Sequence, residues 1–207
     1  MYLRQVADRA FRAGGYERAA IMYTRASLLC RHLGLRDTHQ VLELKLQAVY
    51  TYLTDHNRLT LQSPLHSACL RNDIESICTL LAHERIFGHP INARDSKGFT
   101  ILHRSCGSCS VETVRTLLDF GADVNAETPT RFLPIHMAAQ WNNSRVCRLL
   151  VDCGADVDGI CCNLTEQTPL DMAIENNATE TCRVLVEAGA TTLQHSVNAV
   201  RYILGHP

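Results

Sequence analysis

The amino-acid sequence predicts an all-α fold, a helical-repeat solenoid, on three observations. A four-residue template recurs as Ser63-Pro64-Leu65-His66, Thr100-Ile101-Leu102-His103, Leu133-Pro134-Ile135-His136 and Thr168-Pro169-Leu170-Asp171, its last position stepping by 37, 33 and 35 residues. Each copy is followed by a pair of mostly small residues and then by an apolar pair, and three copies close on Gly-Ala. Residues 2–53, by contrast, hold no proline and place apolar side chains at helical spacing. The chain of 207 residues is 46% apolar and 20% charged. Such a balance belongs to globular rather than disordered chains, and a chain of this length buries about 70% of its unfolded surface.

Leu3, Val6, Ala7, Ala10 and Phe11 form one helical stripe, ended by Gly14-Gly15. Tyr16, Ala19, Ala20, Tyr23 and Ala26 make a second helix running to about Leu33. A third starts near Asp37, with Gln40 as its capping-box partner, and carries Leu42, Leu46, Val49 and Leu53 on one face. In the repeated part, Thr or Ser before Pro caps a short helix whose first turn tolerates proline. The pairs Ala68-Cys69, Ser105-Cys106, Ala138-Ala139 and Ala173-Ile174 let paired helices approach closely. Leu80-Leu81, Leu117-Leu118, Leu149-Leu150 and Leu185-Val186 fill the space between neighbouring repeats. Gly121, Gly154 and Gly189 accept the left-handed C-cap conformation. One such unit cannot bury its apolar face alone, so several must stack. The copies depart from the template at an insertion over His83–Pro90, at two extra residues around Cys161-Cys162, and at Asp171. Cys109 and Asn142 stand where the first helix should end in glycine. The expected organisation is a helical segment over 1–57, a repeat domain over 60–192 and a short terminal helix over 193–207.

Twenty Lys and Arg against 21 Asp and Glu leave a net charge of −1, which gives no electrostatic reason for a nucleic-acid partner. No run of about 18 apolar residues exists, so a membrane span is excluded and no membrane partner is expected. The ten cysteines and the sequons at Asn142, Asn163 and Asn177 suggest an extracellular disulfide scaffold. Against that, Arg4, Asp8, Arg9 and Arg12 interrupt the first dozen residues, so no secretory signal is expected. The cysteines fall at apolar positions of the repeats. They are expected reduced, in a cytoplasmic protein with the nucleus as a second compartment.

Cys106-Gly107-Ser108-Cys109 has the C-x-x-C spacing of zinc or redox sites, but Cys106 falls at the small core position of its repeat. The core reading competes with the metal reading. His66, His103 and His136 recur once per repeat, as turn residues do. At about 10 Å apart they cannot share a metal whose bonds are about 2.0–2.1 Å long, and they are expected to hydrogen-bond their own loops. No G-x-S-x-G, H-E-x-x-H or Walker sequence occurs. No catalytic residue, metal or cofactor is therefore assigned, and the chain is not expected to be an enzyme.

The fourfold pattern resembles the ankyrin repeat over about residues 60–192. That resemblance implies partners held at the hairpin tips and at the exposed end of each first helix. On this chain those positions are Ser96, Lys97 and Phe99; Pro129, Thr130 and Phe132; Gln140 and Trp141; Thr165 and Gln167; Glu175 and Asn176. Phe99 and Phe132 share one template position and, with the single Trp, read as interface anchors; packing under the inserted loops is the alternative. The run Ala10–Ala20, with Tyr23 and Ala26, resembles a tetratricopeptide repeat, a generic helical hairpin being the alternative. The order of these segments, with Asp37-Thr38-His39, Arg94–His103 and Leu149–Val157, resembles the carboxy-terminal part of the feminization (Fem) family. That resemblance implies a substrate receptor of a cullin-RING ubiquitin ligase, with elongin and cullin as partners. Thr192–Arg201 is similar to an elongin-binding box, so Leu193, Val197 and Val200 would enter an elongin groove. A plain capping helix is the other reading of that segment, and a ligase-independent ankyrin scaffold the other reading of the chain. Either way the expected molecule is a monomeric protein-binding adaptor.

Overall fold

The computed structural model describes residues 2–56, 64–87, 91–162 and 166–193. Almost all of their regular structure is helical, with one two-stranded hairpin. The chain divides into two compact units, residues 1–90 and 91–207. The boundary expected near residue 60 falls outside the described residues.

In the first unit, α1 (Tyr2–Arg12), α2 (Tyr16–His32) and α3 (Arg36–His56) precede the short α4 (Pro64–Leu70) and α5 (Ile74–Phe87). The centre is α2, which packs on each of the other four. Its alanines make this possible. Ala19, Ala20 and Ala26 are buried with Ala7, Leu42, Leu46 and Val49, and a methyl at each site lets neighbouring backbones come close. One polar group ties the first three helices together. Asp8 on α1 accepts hydrogen bonds from the Tyr23 hydroxyl on α2 and from Lys45 Nζ on α3, the latter at 2.5 Å. Burial disfavours the charged Asp8, but the bonds from Lys45 and Tyr23 outweigh it and hold the carboxyl below its ordinary range.

Among its described residues the second unit contains three helix pairs: α6 (Ile101–Ser108) with α7 (Val111–Asp119), α8 (Pro134–Gln140) with α9 (Ser144–Asp152), and α10 (Pro169–Glu175) with α11 (Thr179–Glu187). Two antiparallel strands, β1 (Cys161–Cys162) and β2 (Glu166–Gln167), precede α10. The first helices form one row, α6 on α8 on α10, and the second helices another, α7 on α9 on α11. Between the rows Leu102, Leu117, Ile135, Leu150, Leu170 and Leu185 are buried, with Cys106, Cys147 and Cys182 beside them. Each second helix ends as its glycine requires. Gly121, Gly154 and Gly189 have φ of 93°, 85° and 85°, and the next residue's N–H bonds back to the last turn.

Two hydrogen-bond ladders fix the register between repeats. In the buried one, His103 Nδ1 accepts the Thr100 N–H at 3.2 Å, which leaves the proton on Nε2 to meet the Phe132 carbonyl at 2.9 Å. His136 repeats this with the Leu133 N–H at 3.1 Å and the Gly159 carbonyl at 3.0 Å. His103 and His136 thus bond their own loops, as expected, and also the loop of the following repeat. Asp171 completes the row. Its carboxylate accepts the Thr168 N–H at 3.0 Å, the Thr192 hydroxyl and the Leu193 N–H at 3.1 Å. Where the chain after the last helix pair presents donors instead of a carbonyl, an acceptor-only side chain replaces the imidazole. The exposed ladder changes in the same way. Asn92 and Asn125 bridge to the Asp123 and Asp156 N–H groups, both at 2.8 Å, whereas Asp158 accepts from the Thr191 N–H at 2.7 Å.

Burial lowers the pKa of both histidines, that of His136 to about 4 from an ordinary 6.5. Below pH 6.5 the unfolded chain takes up the proton first, so the contribution of His136 is complete above 6.5 and fades as pH falls towards 4. The expected loss is about 3 kcal/mol over that window. Urea titrations at successive pH values should show it, and His136→Gln should flatten the slope between pH 6.5 and 4 while lowering stability at pH 7.

Candidate protein-interaction face

The turn over residues 95–99 is closed by main-chain bonds between Asp95 and Phe99, at 2.9 Å, and between Gly98 and Asp95. Asp95 Oδ1 accepts the Lys97 and Phe99 N–H groups at 2.8 and 3.0 Å, and Oδ2 takes Arg104 Nη2 at 2.6 Å and Nε at 3.1 Å. The guanidinium then lies 4.5 Å from the centre of the Phe99 ring, a cation–π contact. Burial opposes the Asp95 charge, but Arg104 and the turn N–H groups outweigh it and hold the carboxyl low. One repeat on, the same turn is rebuilt from different residues. Thr128 Oγ1 accepts the Phe132 N–H at 2.9 Å, and Arg131 adopts φ 55° where Gly98 adopts 82°.

Phe99 and Phe132 meet edge to face at 6.2 Å. Phe99 also stands on His103 at 5.5 Å, and Phe132 leans on His136 at 5.1 Å. The expectation of two exposed aromatics changes here. Phe132 is only 6% exposed, because its ring fills the space between Phe99 and His136 beneath the turn, and Phe99 is half-buried. The two rings build the face from below.

Trp141, capping α8, is 65% exposed. Its indole rests on the backbone of Gly107 in the preceding repeat: a Cβ there would lie 2.7 Å from Trp141 Cδ1. The glycine of the Cys106–Cys109 motif therefore serves as the seat of the tryptophan. Cys106 and Cys109 are buried and burial raises the pKa of both thiols, which keeps them protonated at neutral pH. All ten cysteines are free thiols. Among the described residues, no group of three or more His, Cys, Asp or Glu is placed to hold a metal ion.

The remaining assigned positions fall as follows. Lys97, Thr130, Gln140 and Glu175 are exposed. Thr130 Oγ1 is 3.1 Å from Thr128 Oγ1, and Glu175 accepts from Gln167 Nε2 at 2.6 Å. Thr165 lies outside the described residues. Leu193 is 53% exposed, while Val197, Val200 and the helix expected over 193–207 beyond Leu193 lie outside the described residues. Sequence reasoning missed Asp95, Arg104 and Gly107. Arg104 directly follows the template histidine, but only the folded turn shows that it reaches back to Asp95.

Stacked helix pairs joined by protruding turns, with side chains presented along one edge, define a repeat scaffold. A family model for ankyrin repeats (three copies) matches residues 38–128 and 127–199, most of the chain, which therefore belongs to the ankyrin-repeat family. The first match begins inside α3. No curated protein matches the chain.

Removing the Asp95 carboxylate leaves two turn N–H groups and Arg104 without their acceptor. Asp95→Ala is expected to lower stability by about 1–3 kcal/mol, and Arg104→Gln by less, in chemical denaturation of the full chain.

Proposed function

We propose that this protein is a non-catalytic adaptor that holds another protein on the face built from its turns and first-helix ends. The observation that carries this reading is Trp141: a large aromatic 65% exposed whose indole lies against Gly107 of the preceding repeat. Such a residue loses little entropy on binding and offers much apolar area, the properties of an interface anchor. Lys97, Phe99, Thr130, Gln140 and Glu175 supply the surrounding contacts, with Phe132 supporting Phe99 from below. In this reading residues 60–192 are the ankyrin domain, residues 1–57 a tetratricopeptide-like segment, and the molecule is a monomer working in the cytoplasm and nucleus.

A finer reading follows from the Fem resemblance: substrate recognition for a cullin-RING ubiquitin ligase, with Leu193, Val197 and Val200 docking on elongin. The exposure of Leu193 at the start of that segment favours it. A ligase-independent scaffold uses the same face without that dock.

Partners captured on the wild-type chain should bind Trp141→Ala at least about 30-fold more weakly, the scale of a hot-spot residue. Gly107→Ala should weaken them too, by displacing the indole, with the helical circular dichroism unchanged. Undiminished binding by both variants counts against the proposed face. Elongin and cullin should co-purify with the chain and be lost with Leu193→Ser; their absence from the wild-type sample at native expression favours the scaffold.

A further inference from the structure

Among the described residues, every position with a positive φ holds glycine or asparagine except one: Arg131, at φ 55°. The left-handed region presses Cβ against the following carbonyl, which is why glycine and asparagine usually fill it. One repeat earlier the matching position is Gly98. The arginine side chain is exposed and does little for the fold in return. It lies 4.0 Å from the Glu127 carboxylate, both side chains being more than half exposed, and such surface pairs contribute little to stability. A strained residue whose side chain does not repay the strain within the fold points to a use outside it.

Two further cations stand on the same two turns. Lys97 is exposed, and its ammonium has no carboxylate partner among the described residues. Arg94 is exposed as well, and its Nη1 donates to the Gly98 carbonyl, at 3.3 Å, and to the Glu127 carbonyl. Those acceptors fix the guanidinium across neighbouring turns without cancelling its charge. Arg104 and Asp95 neutralise each other. Residues 94–98 and 127–131 therefore keep Arg94, Lys97 and Arg131 against Glu127 alone, a net of +2. The unit that carries them has the opposite sign: residues 91–207 hold nine Lys and Arg against thirteen Asp and Glu, a net of −4.

We propose that the partner of this face presents an acidic segment, its carboxylates on Arg94, Lys97 and Arg131 and a large apolar side chain on Trp141. The inference rests on the reading of Trp141 as an anchor and adds the chemistry of what is held. Charge complementarity selects the occupant. A local positive group on an acidic unit attracts carboxylates to one spot and repels them elsewhere, which sets register as well as affinity. A peptide suits that spot better than a nucleic acid. The cationic group is small and bounded: Glu127 stands within it, and exposed Glu166 stands on the next turn, which joins this one through the Cys162 N–H and the Thr130 carbonyl at 2.8 Å. An unbroken run of phosphates would meet those acids, whereas a segment with a few carboxylates meets the cations alone. The arginine at a glycine position then has its explanation, since Arg131 adds the cation that the second turn otherwise lacks.

Selection of a display library of random short peptides on the full chain tests this. The enriched peptides should be rich in Asp and Glu, carry a large apolar residue and bind more weakly as salt rises. Lys97→Glu with Arg131→Glu should weaken them at least about tenfold. Both positions are exposed, so circular dichroism should match the wild type. Arg131→Gly separates binding from folding: it should weaken the peptides about threefold while leaving the urea midpoint unchanged or higher, because glycine removes the strain. Enriched peptides without acidic residues, or acidic ones that bind the double variant undiminished, overturn the proposal; if such peptides still need Trp141, the anchor reading survives that failure. Acidic peptides lost with the charge reversals but indifferent to Trp141→Ala support the acidic site and overturn the anchor. A single-stranded oligonucleotide that outcompetes the peptides and is lost with the same charge reversals assigns the cations to nucleic acid and overturns the proposal. Self-association abolished by those reversals, with no acidic peptide enriched, assigns them to a second copy and overturns it equally.

Discussion

A helix pair with one apolar face cannot exclude water from that face alone, and the second unit of this protein follows from that constraint. Leu102, Ile135 and Leu170 on the first helices and Leu117, Leu150 and Leu185 on the second become buried because each repeat covers its neighbour. The apolar contact supplies the driving force but little direction, since oily surfaces slide. Direction comes from the two ladders, which join neighbouring turns at one register. Their imidazole, amide and carboxylate groups bond with specific geometry, so a slip of one residue would break the row.

The same economy explains the face. A turn that projects from a stack needs its own internal bonds, and Asp95 provides them at one tip as Thr128 does at the next. Phe99 and Phe132 then rest on the buried histidines, so the outer layer inherits the rigidity of the inner one. Trp141 uses a different support, the bare backbone of Gly107. Each exposed element stands on something that stacking has already fixed. A scaffold of this kind can vary its outer residues freely while its frame stays constant, as expected of a family whose members hold proteins.

The first unit obeys different rules. Alanines let α1 and α3 approach α2, and Asp8 joins all three through Tyr23 and Lys45. One half-buried carboxylate with two donors from two other helices sets an arrangement that small apolar side chains alone would leave loose.

How much was legible in the sequence can be traced residue by residue. Thr100 and Thr168 announced their helix starts because capping needs only a side chain and three neighbouring residues. The alanine and leucine pairs announced the core because burial follows the helical period. The role of His103 was half legible: its bond to Thr100 is local, but its bond to the Phe132 carbonyl depends on a partner 29 residues away. Phe132 was open to two readings, an interface anchor or a ring packed beneath the loops, and only its place between Phe99 and His136 decides that it is buried. Gly107 carried no readable signal, since a glycine between two cysteines looks like part of a motif until an indole is found resting on it. The sequence by itself therefore determined the helices, their caps and the need to stack, all set by interactions within a turn or two of chain. The tertiary structure decided which outer side chains remain exposed, because exposure depends on what a neighbouring repeat brings alongside.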